Sequence, residues 1–319
     1  MFGLILNIYN DNLSYINKDK DNIYFLLKLN FIIFPIIFIS SFILASYSQY
    51  FPDYNNYDNY IVGGTSFLRF YREPLSALIM QTFHYFGLSA YEYYLSSILV
   101  LFYSISRLVI KSKCRFPILT VVLIFFNPVT LILIQTPRHV YSMALALLAF
   151  SSKGSKLYFL LLLSLLLHNV MGALAVFFLV TSKVNNKINY ILASAGVLFF
   201  VAVLSGFINL GYDFYDTSEI QRGVGRVLLF VILLLYTSIV VCKNRSALEY
   251  FLIFSAMSVL LYFITPFSHR ISSFLYIMII TYLLSHQKNN FNILFSILIL
   301  LCHVGLSIYI IWCGELGYS

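Results

Sequence analysis

The sequence predicts an all-α polytopic membrane protein with about ten transmembrane segments, one of them broken or re-entrant, and an amphipathic helix on the outer face. Three observations predict it. Only 10% of the 319 residues are charged, against roughly 25% in soluble domains. Hydrophobic residues make up 61% of the chain, about 195 residues, enough for about ten spans of about 20 residues each. The 20 Lys and Arg and the 12 Asp and Glu gather in short loops between the apolar runs. A water-soluble globule is excluded, and so is intrinsic disorder, whose composition is the reverse of this one.

The first 25 residues lack a basic start, a long apolar run and a small-residue cleavage site, so a removable signal peptide is not expected. Residues 1–25 read as a cytoplasmic arm, because Lys18, Lys20 and Lys28 precede the first long apolar run. Residues 26–319 read as a single transmembrane helical domain. Its spans fall near 27–48, 91–110, 116–135, 139–152, 157–181, 188–209, 226–242, 247–265, 270–286 and 291–312. Outer loops cover about 49–90 and 210–225. The stretch 74–88 is too short to cross and carries apolar residues at 75, 78, 79, 83 and 86. It reads as an outer-surface amphipathic helix opened by Glu73-Pro74. The run 157–181 is interrupted at His168-Asn169. A hairpin there keeps Lys183 and Lys187 inside, and polar backbone at membrane depth is tolerated where it lines a cavity.

On this topology all 11 lysines are cytoplasmic, whereas six of the nine arginines (Arg69, Arg72, Arg138, Arg222, Arg226, Arg270) face outward. The side assignment treats Lys and Arg alike, so the split between them is a separate signal. Outer cations retained only as Arg suit planar, bidentate recognition of phosphate or carboxylate; snorkelling at span ends is the alternative for Arg69 and Arg226. The net charge of +8 is thus mainly topology and gives no reason to expect nucleic acid.

Several polar groups stand out. The outer loop 51–60 holds Asp53, Asp58 and three tyrosines, Tyr54, Tyr57 and Tyr60. Aromatic faces stack on sugar C–H surfaces and carboxylates accept hydroxyl hydrogen bonds, although a Tyr-rich interfacial belt has the same composition. Arg69, Arg72 and Glu73 follow. Gln135, Arg138 and His139 stand between two apolar runs, with Arg138 at a helix start where the helix dipole adds to its charge to seat an anion. His168 lies at the end of a leucine run; a packed, hydrogen-bonded core histidine and a functional group are both open. His269 and Arg270 begin a span after Thr265-Pro266. The loop 211–226 carries Asp213, Asp216, Glu219, Arg222 and Arg226, which suits a lid or acceptor loop as well as a plain connection.

Cys114, Cys242, Cys302 and Cys313 have neither disulfide-framework nor metal-site spacing. P-loop, GxGxxG and HExxH motifs are lacking, so no metal and no cofactor are expected. Asp19-Lys20-Asp21 reads as a solvated charge run. The two halves show no repeat, which counts against a transporter.

The order of these features resembles the EpsG-like, Wzy-type bacterial polysaccharide polymerases. The likeness rests on the cluster Asp53, Tyr54 and Tyr57, then Arg72-Glu73-Pro74 opening an amphipathic stretch. It continues with Arg138 heading a small-residue helix (Met143, Ala144, Ala146, Ala149), a leucine run ending in His168, and Arg270. It covers about residues 50–285. The chain differs in the Asn169-Val-Met that follows His168 and in the Pro-Arg-His around Arg138.

The resemblance implies a glycosyltransferase C-like fold and an O-antigen or capsule polymerase of the bacterial inner membrane. Such an enzyme moves the growing glycan from undecaprenyl pyrophosphate to an incoming lipid-linked repeat unit at the periplasmic face, without a metal. Its partners are the lipid-linked oligosaccharides, the bilayer, and a chain-length regulator and flippase. Arg138 and Arg270 are expected to hold the pyrophosphate, and His168 or Glu73 to serve as acceptor base. Asp53, Tyr54, Tyr57, Arg69, Arg72, Gln135, His139, Arg222 and His269 are expected on the substrates. Two other readings are a lipid-linked oligosaccharide flippase or transporter and an O-antigen ligase.

Overall fold

The structure is a computed structural model that describes residues 20–51, 53–64, 73–112, 114, 116–125, 130, 133–152, 154–168 and 172. Beyond these it describes isolated positions between 277 and 305. The regular structure among the described residues is helical: α1 (Lys20–Ser46), α2 (Tyr54–Val62), α3 (Pro74–Tyr85), α4 (Ala90–Lys111), α5 (Pro117–Phe125), α6 (Pro137–Phe150) and α7 (Ser155–Leu167). The chain divides into two compact units, and all seven helices belong to the one formed by Tyr9–Phe126 and Thr130–Val176. In the other unit the helical positions Ile277, Ile280 and Leu300 are buried. The expected spans 188–209, 226–242 and 247–265, and the loop 210–225, lie outside the described residues.

Among the described residues two helical stretches are long and apolar enough to cross a bilayer, Ile32–Tyr50 and Ala90–Lys111. They differ in what covers them. Along α1 the residues Phe34, Phe38, Ile39, Phe42 and Ile43 are exposed, an apolar stripe of the kind that soluble monomers rarely leave in water. The α4 stretch is mostly buried, because α1, α2, α5 and α6 all pack on it. Its start is fixed by a capping box: the Ser89 hydroxyl accepts from the Tyr91 amide at 3.2 Å, and Glu92 accepts from the Ser89 amide at 2.8 Å. Asp58, reaching from α2, accepts the Ala90 amide at 3.2 Å. Three donors at one helix end are thereby satisfied by two carboxylates and a hydroxyl.

One expectation needs correction and two others gain detail. The segment 51–60 is largely helix α2 rather than loop. Tyr54, Tyr57 and Ile61 fall on one helical face, Asp53 precedes the first turn, and Gly63 and Gly64 end it. The helix expected over 74–88 is present as α3; Ser76, Ala77 and Met80 are its buried residues, and Leu75, Ile79 and Phe83 pack against the same core. Leu78 is 51% and Phe86 68% exposed, because α2 and α7 pack on the side that follows from Glu73 at i+3, i+4 and i+7. The helix entering the expected span 157–181 ends at Leu167, where His168 turns extended (φ −154°, ψ 110°). The second half of that run lies outside the described residues.

Helices α2, α3, α7, α6 and α4 close a ring of contacts, α2 on α3, α3 on α7, α7 on α6, α6 on α4 and α4 on α2. Replacing Ser89 with Ala should cost about 1 kcal/mol by loss of its cap, read as a lower unfolding midpoint in detergent, with Ser89→Thr retaining most of it. An unchanged midpoint in Ser89→Ala would show that Asp58 and Glu92 cap α4 unaided.

Candidate functional site

Four of these helical elements contribute to a row of polar groups, most of them at or next to helix ends. Pro74 occupies the first turn of α3, and Glu73 precedes it as the N-cap residue. Thr136 caps α6, Pro137 again takes the first helical position, and Arg138 follows. Proline is suited to both places because its missing N–H would have no helical partner there. The two helix starts face each other and Arg138 Nη1 donates to Glu73 Oε2 in an ion pair. Arg138 Nε donates to the Tyr57 hydroxyl at 3.1 Å, and its guanidinium carbon lies 5.7 Å from the Tyr57 ring centroid. The Nη2 group lies outside both contacts.

Glu73 is buried, at 7% exposure, and its other oxygen Oε1 stands 3.9 Å from His168 Nε2. His168, just past α7, is buried as well and meets the His139 ring edge-on, with centroids 5.0 Å apart and planes at 78°. The order Tyr57, Arg138, Glu73, His168, His139 therefore runs through four helical elements. The Arg138 side chain keeps 26% exposure, so the cationic end of this row is the one that faces outward. Burial pushes the Tyr57 phenol above its ordinary pKa, against the pull of the Arg138 charge and hydrogen bond. Tyr57 is thus a neutral phenol that accepts from Arg138 and keeps its own proton to donate.

An aromatic shell holds Tyr57 in place. Its ring contacts Tyr93 at 5.6 Å and Tyr94 edge-on at 5.8 Å, and Tyr93 touches Phe83 and Tyr141. Tyr141 and Ser96 join their hydroxyls at 2.5 Å, and Tyr94 donates to the Gln135 carbonyl at 3.0 Å. Such pairs add about 0.5–1.5 kcal/mol each beyond the area they bury.

Glu73, Arg138, His168, Tyr57 and His139, separated by up to 111 positions in sequence, are brought together. Tyr54 is only partly buried and stacks on Tyr94 at 5.8 Å, beside Asp58 and Glu92. Asp53 stands at the start of α2 without a side-chain capping bond. Gln135 enters through its backbone carbonyl rather than its amide. Arg69, Arg72, Arg222, His269 and Arg270 lie outside the described residues. Tyr93, Tyr94 and Tyr141 were missed as site-supporting residues; their spacing along α4 and α6 signals only a buried face. Among the described residues no group of three or more His, Cys, Asp and Glu side chains is arranged to hold a metal ion.

No family model matches the chain, and neither does any curated protein or solved structure.

Chemically, the row can orient an anion at the open side of Arg138 and pass a proton to a buried imidazole backed by a carboxylate. It also predicts an asymmetry in stability. Arg138→Gln leaves Glu73 charged in a dry site and should lower stability by about 2–4 kcal/mol, while Glu73→Gln leaves a partly hydrated guanidinium and should cost less. The double variant should be milder than the two losses added, with a coupling of about 1–3 kcal/mol. Additive losses in detergent unfolding would show that the pair contributes no interaction of its own.

Proposed function

We propose that the protein is a metal-independent glycosyltransferase of the bacterial inner membrane that polymerises O-antigen or capsular polysaccharide. It moves the growing glycan from undecaprenyl pyrophosphate to an incoming lipid-linked repeat unit. The observation that carries this reading is the convergence of Arg138, Glu73 and His168 at facing helix ends. Glycosyl transfer from a pyrophosphate requires those two elements together, charge stabilisation for the departing phosphate and a base for the acceptor hydroxyl. Supporting it are the apolar α1 stripe, the outward segregation of arginine and the order of motifs shared with the polymerase family.

In this mechanism the acceptor hydroxyl oxygen attacks the anomeric carbon of the donor sugar. The bond from that carbon to the pyrophosphate oxygen breaks, and its electron pair leaves with the pyrophosphate. Arg138 meets the growing negative charge through its unengaged Nη2, and Arg270 adds a second cation. The hydroxyl proton passes to His168, chosen over Glu73 because the carboxylate is already engaged by Arg138. The resulting imidazolium lies 3.9 Å from Glu73 Oε1, which stabilises it. Tyr54, Tyr57 and Asp53 contact sugar at the adjoining face. The ten-span topology, with the N-terminus cytoplasmic and the site periplasmic, belongs to the same proposal.

In a strain lacking the wild-type copy, Arg138→Ala and Arg270→Ala should abolish long-chain polymer at normal protein level; unchanged polymer would overturn the site. Deleting the gene separates the alternatives. A single repeat still attached to lipid A core means a polymerase, no attached product a ligase, and precursor retained at the cytoplasmic face a flippase. Reporter-enzyme fusions supply the topological check: those after residue 60 should be active only outside the cytoplasm, and those after residue 154 only within it.

A further inference from the structure

One turn below the histidines, α6 and α7 are joined by two serines. The Ser142 hydroxyl donates to the Ser164 carbonyl at 2.8 Å, and the Ser164 hydroxyl donates to the Ser142 carbonyl at 2.8 Å. The two hydroxyl oxygens lie 2.9 Å apart, and both residues are fully buried. Helix-interior serines ordinarily bond a carbonyl of their own helix, as Ser97 and Ser104 do on α4. Here each reaches across to the other helix instead.

The place of this crossing matters more than its strength. The Ser164 carbonyl also accepts the His168 amide at 3.1 Å, the bond that seats His168 at the end of α7. One backbone oxygen therefore takes the hydroxyl that ties α6 and the N–H that fixes His168. On the other side, Ser142 follows His139 by three residues, one helical turn. A slip between α6 and α7 must break the crossing before it can separate the His139 and His168 rings or move His168 from Glu73.

We infer that Ser142 and Ser164 form a reciprocal clasp that sets the register of α6 against α7, and that they are positioning residues for His168. The consequence for glycosyl transfer rests on the function proposed above; the clasp itself does not.

The test uses the full chain in detergent or native membranes. Ser142→Ala and Ser164→Ala each leave one hydroxyl able to cross, and alanine suits a helix interior, so the singles should change little. In the double variant His168 should react with diethyl pyrocarbonate at least about fivefold faster, the factor that a lost hydrogen bond carries. His84, exposed but with Nδ1 held 2.6 Å from the Ile61 carbonyl oxygen, is the internal reference: loss of fold frees and accelerates both histidines, whereas loss of register accelerates His168 and leaves His84 unchanged. An unchanged His168 rate, or equal acceleration of both, overturns the clasp.

A second variant does not depend on alanine. Ser142→Cys/Ser164→Cys should cross-link on mild oxidation, giving disulfide-joined peptides after trypsin cuts at the intervening Lys153 and Lys156. Failure to cross-link also overturns it. Polymer synthesis in the double alanine variant is read separately. If His168 is freed while polymer length stays normal, the clasp stands and the catalytic role of His168 falls.

Discussion

Glu73 and Arg138 stand 65 residues apart in sequence, at the starts of two short helices that each begin with proline. A carboxylate taken so far out of water needs a cation, and the cation needs its anion. This mutual need fixes how α3 and α6 meet. Once the ends face each other, Tyr57 on α2 falls within hydrogen-bonding reach of the guanidinium and His168 past α7 lies beside the other carboxylate oxygen. The remaining architecture can be understood as support for that contact. Charge pairing of this kind adds little net stability; its effect is to penalise every arrangement in which the two groups are apart.

The support comes in two chemically different forms. On the α4 side it is aromatic, with Tyr57, Tyr93, Tyr94 and Tyr141 in mutual ring contact and their hydroxyls used where partners are near. On the α7 side it is small and polar, the Ser142–Ser164 crossing among leucines and alanines. Hydrophobic driving force between helices is weak in lipid, so hydrogen bonds and close packing take a larger share of helix association there. Large rings pack between α2 and α4, and serine allows the close approach of α6 and α7.

The described helices were largely legible in the sequence, since their signals are local. Apolar runs set α1 and α4, Pro74 and Pro137 mark the starts of α3 and α6, and His168 closes the leucine run of α7. The helix over Tyr54–Val62 was hidden by its polar composition. Its signal, three apolar positions at helical spacing ahead of two glycines, was present and outweighed by three tyrosines and two aspartates that resemble a binding loop. Which residues of α3 turn inward was not legible in the sequence for a different reason. In a chain this apolar, both faces of a helix are hydrophobic, so periodicity loses its power to tell inside from outside.

By itself the sequence determined the composition-level facts, an apolar helical chain with few charges, and it named Glu73, Arg138 and His168 as chemically unusual. It did so because a charged or titratable group in an apolar environment is costly and stands out one residue at a time. Only the tertiary structure decided that Arg138 is engaged by Glu73 and Tyr57, and that His168 faces that same carboxylate. It also decided that Asp58 caps a helix and that Ser142 and Ser164 cross between two others. Those are pairwise facts between distant positions. A single sequence carries the need of each group for a partner but not the identity of the partner, which the packing of helices selects.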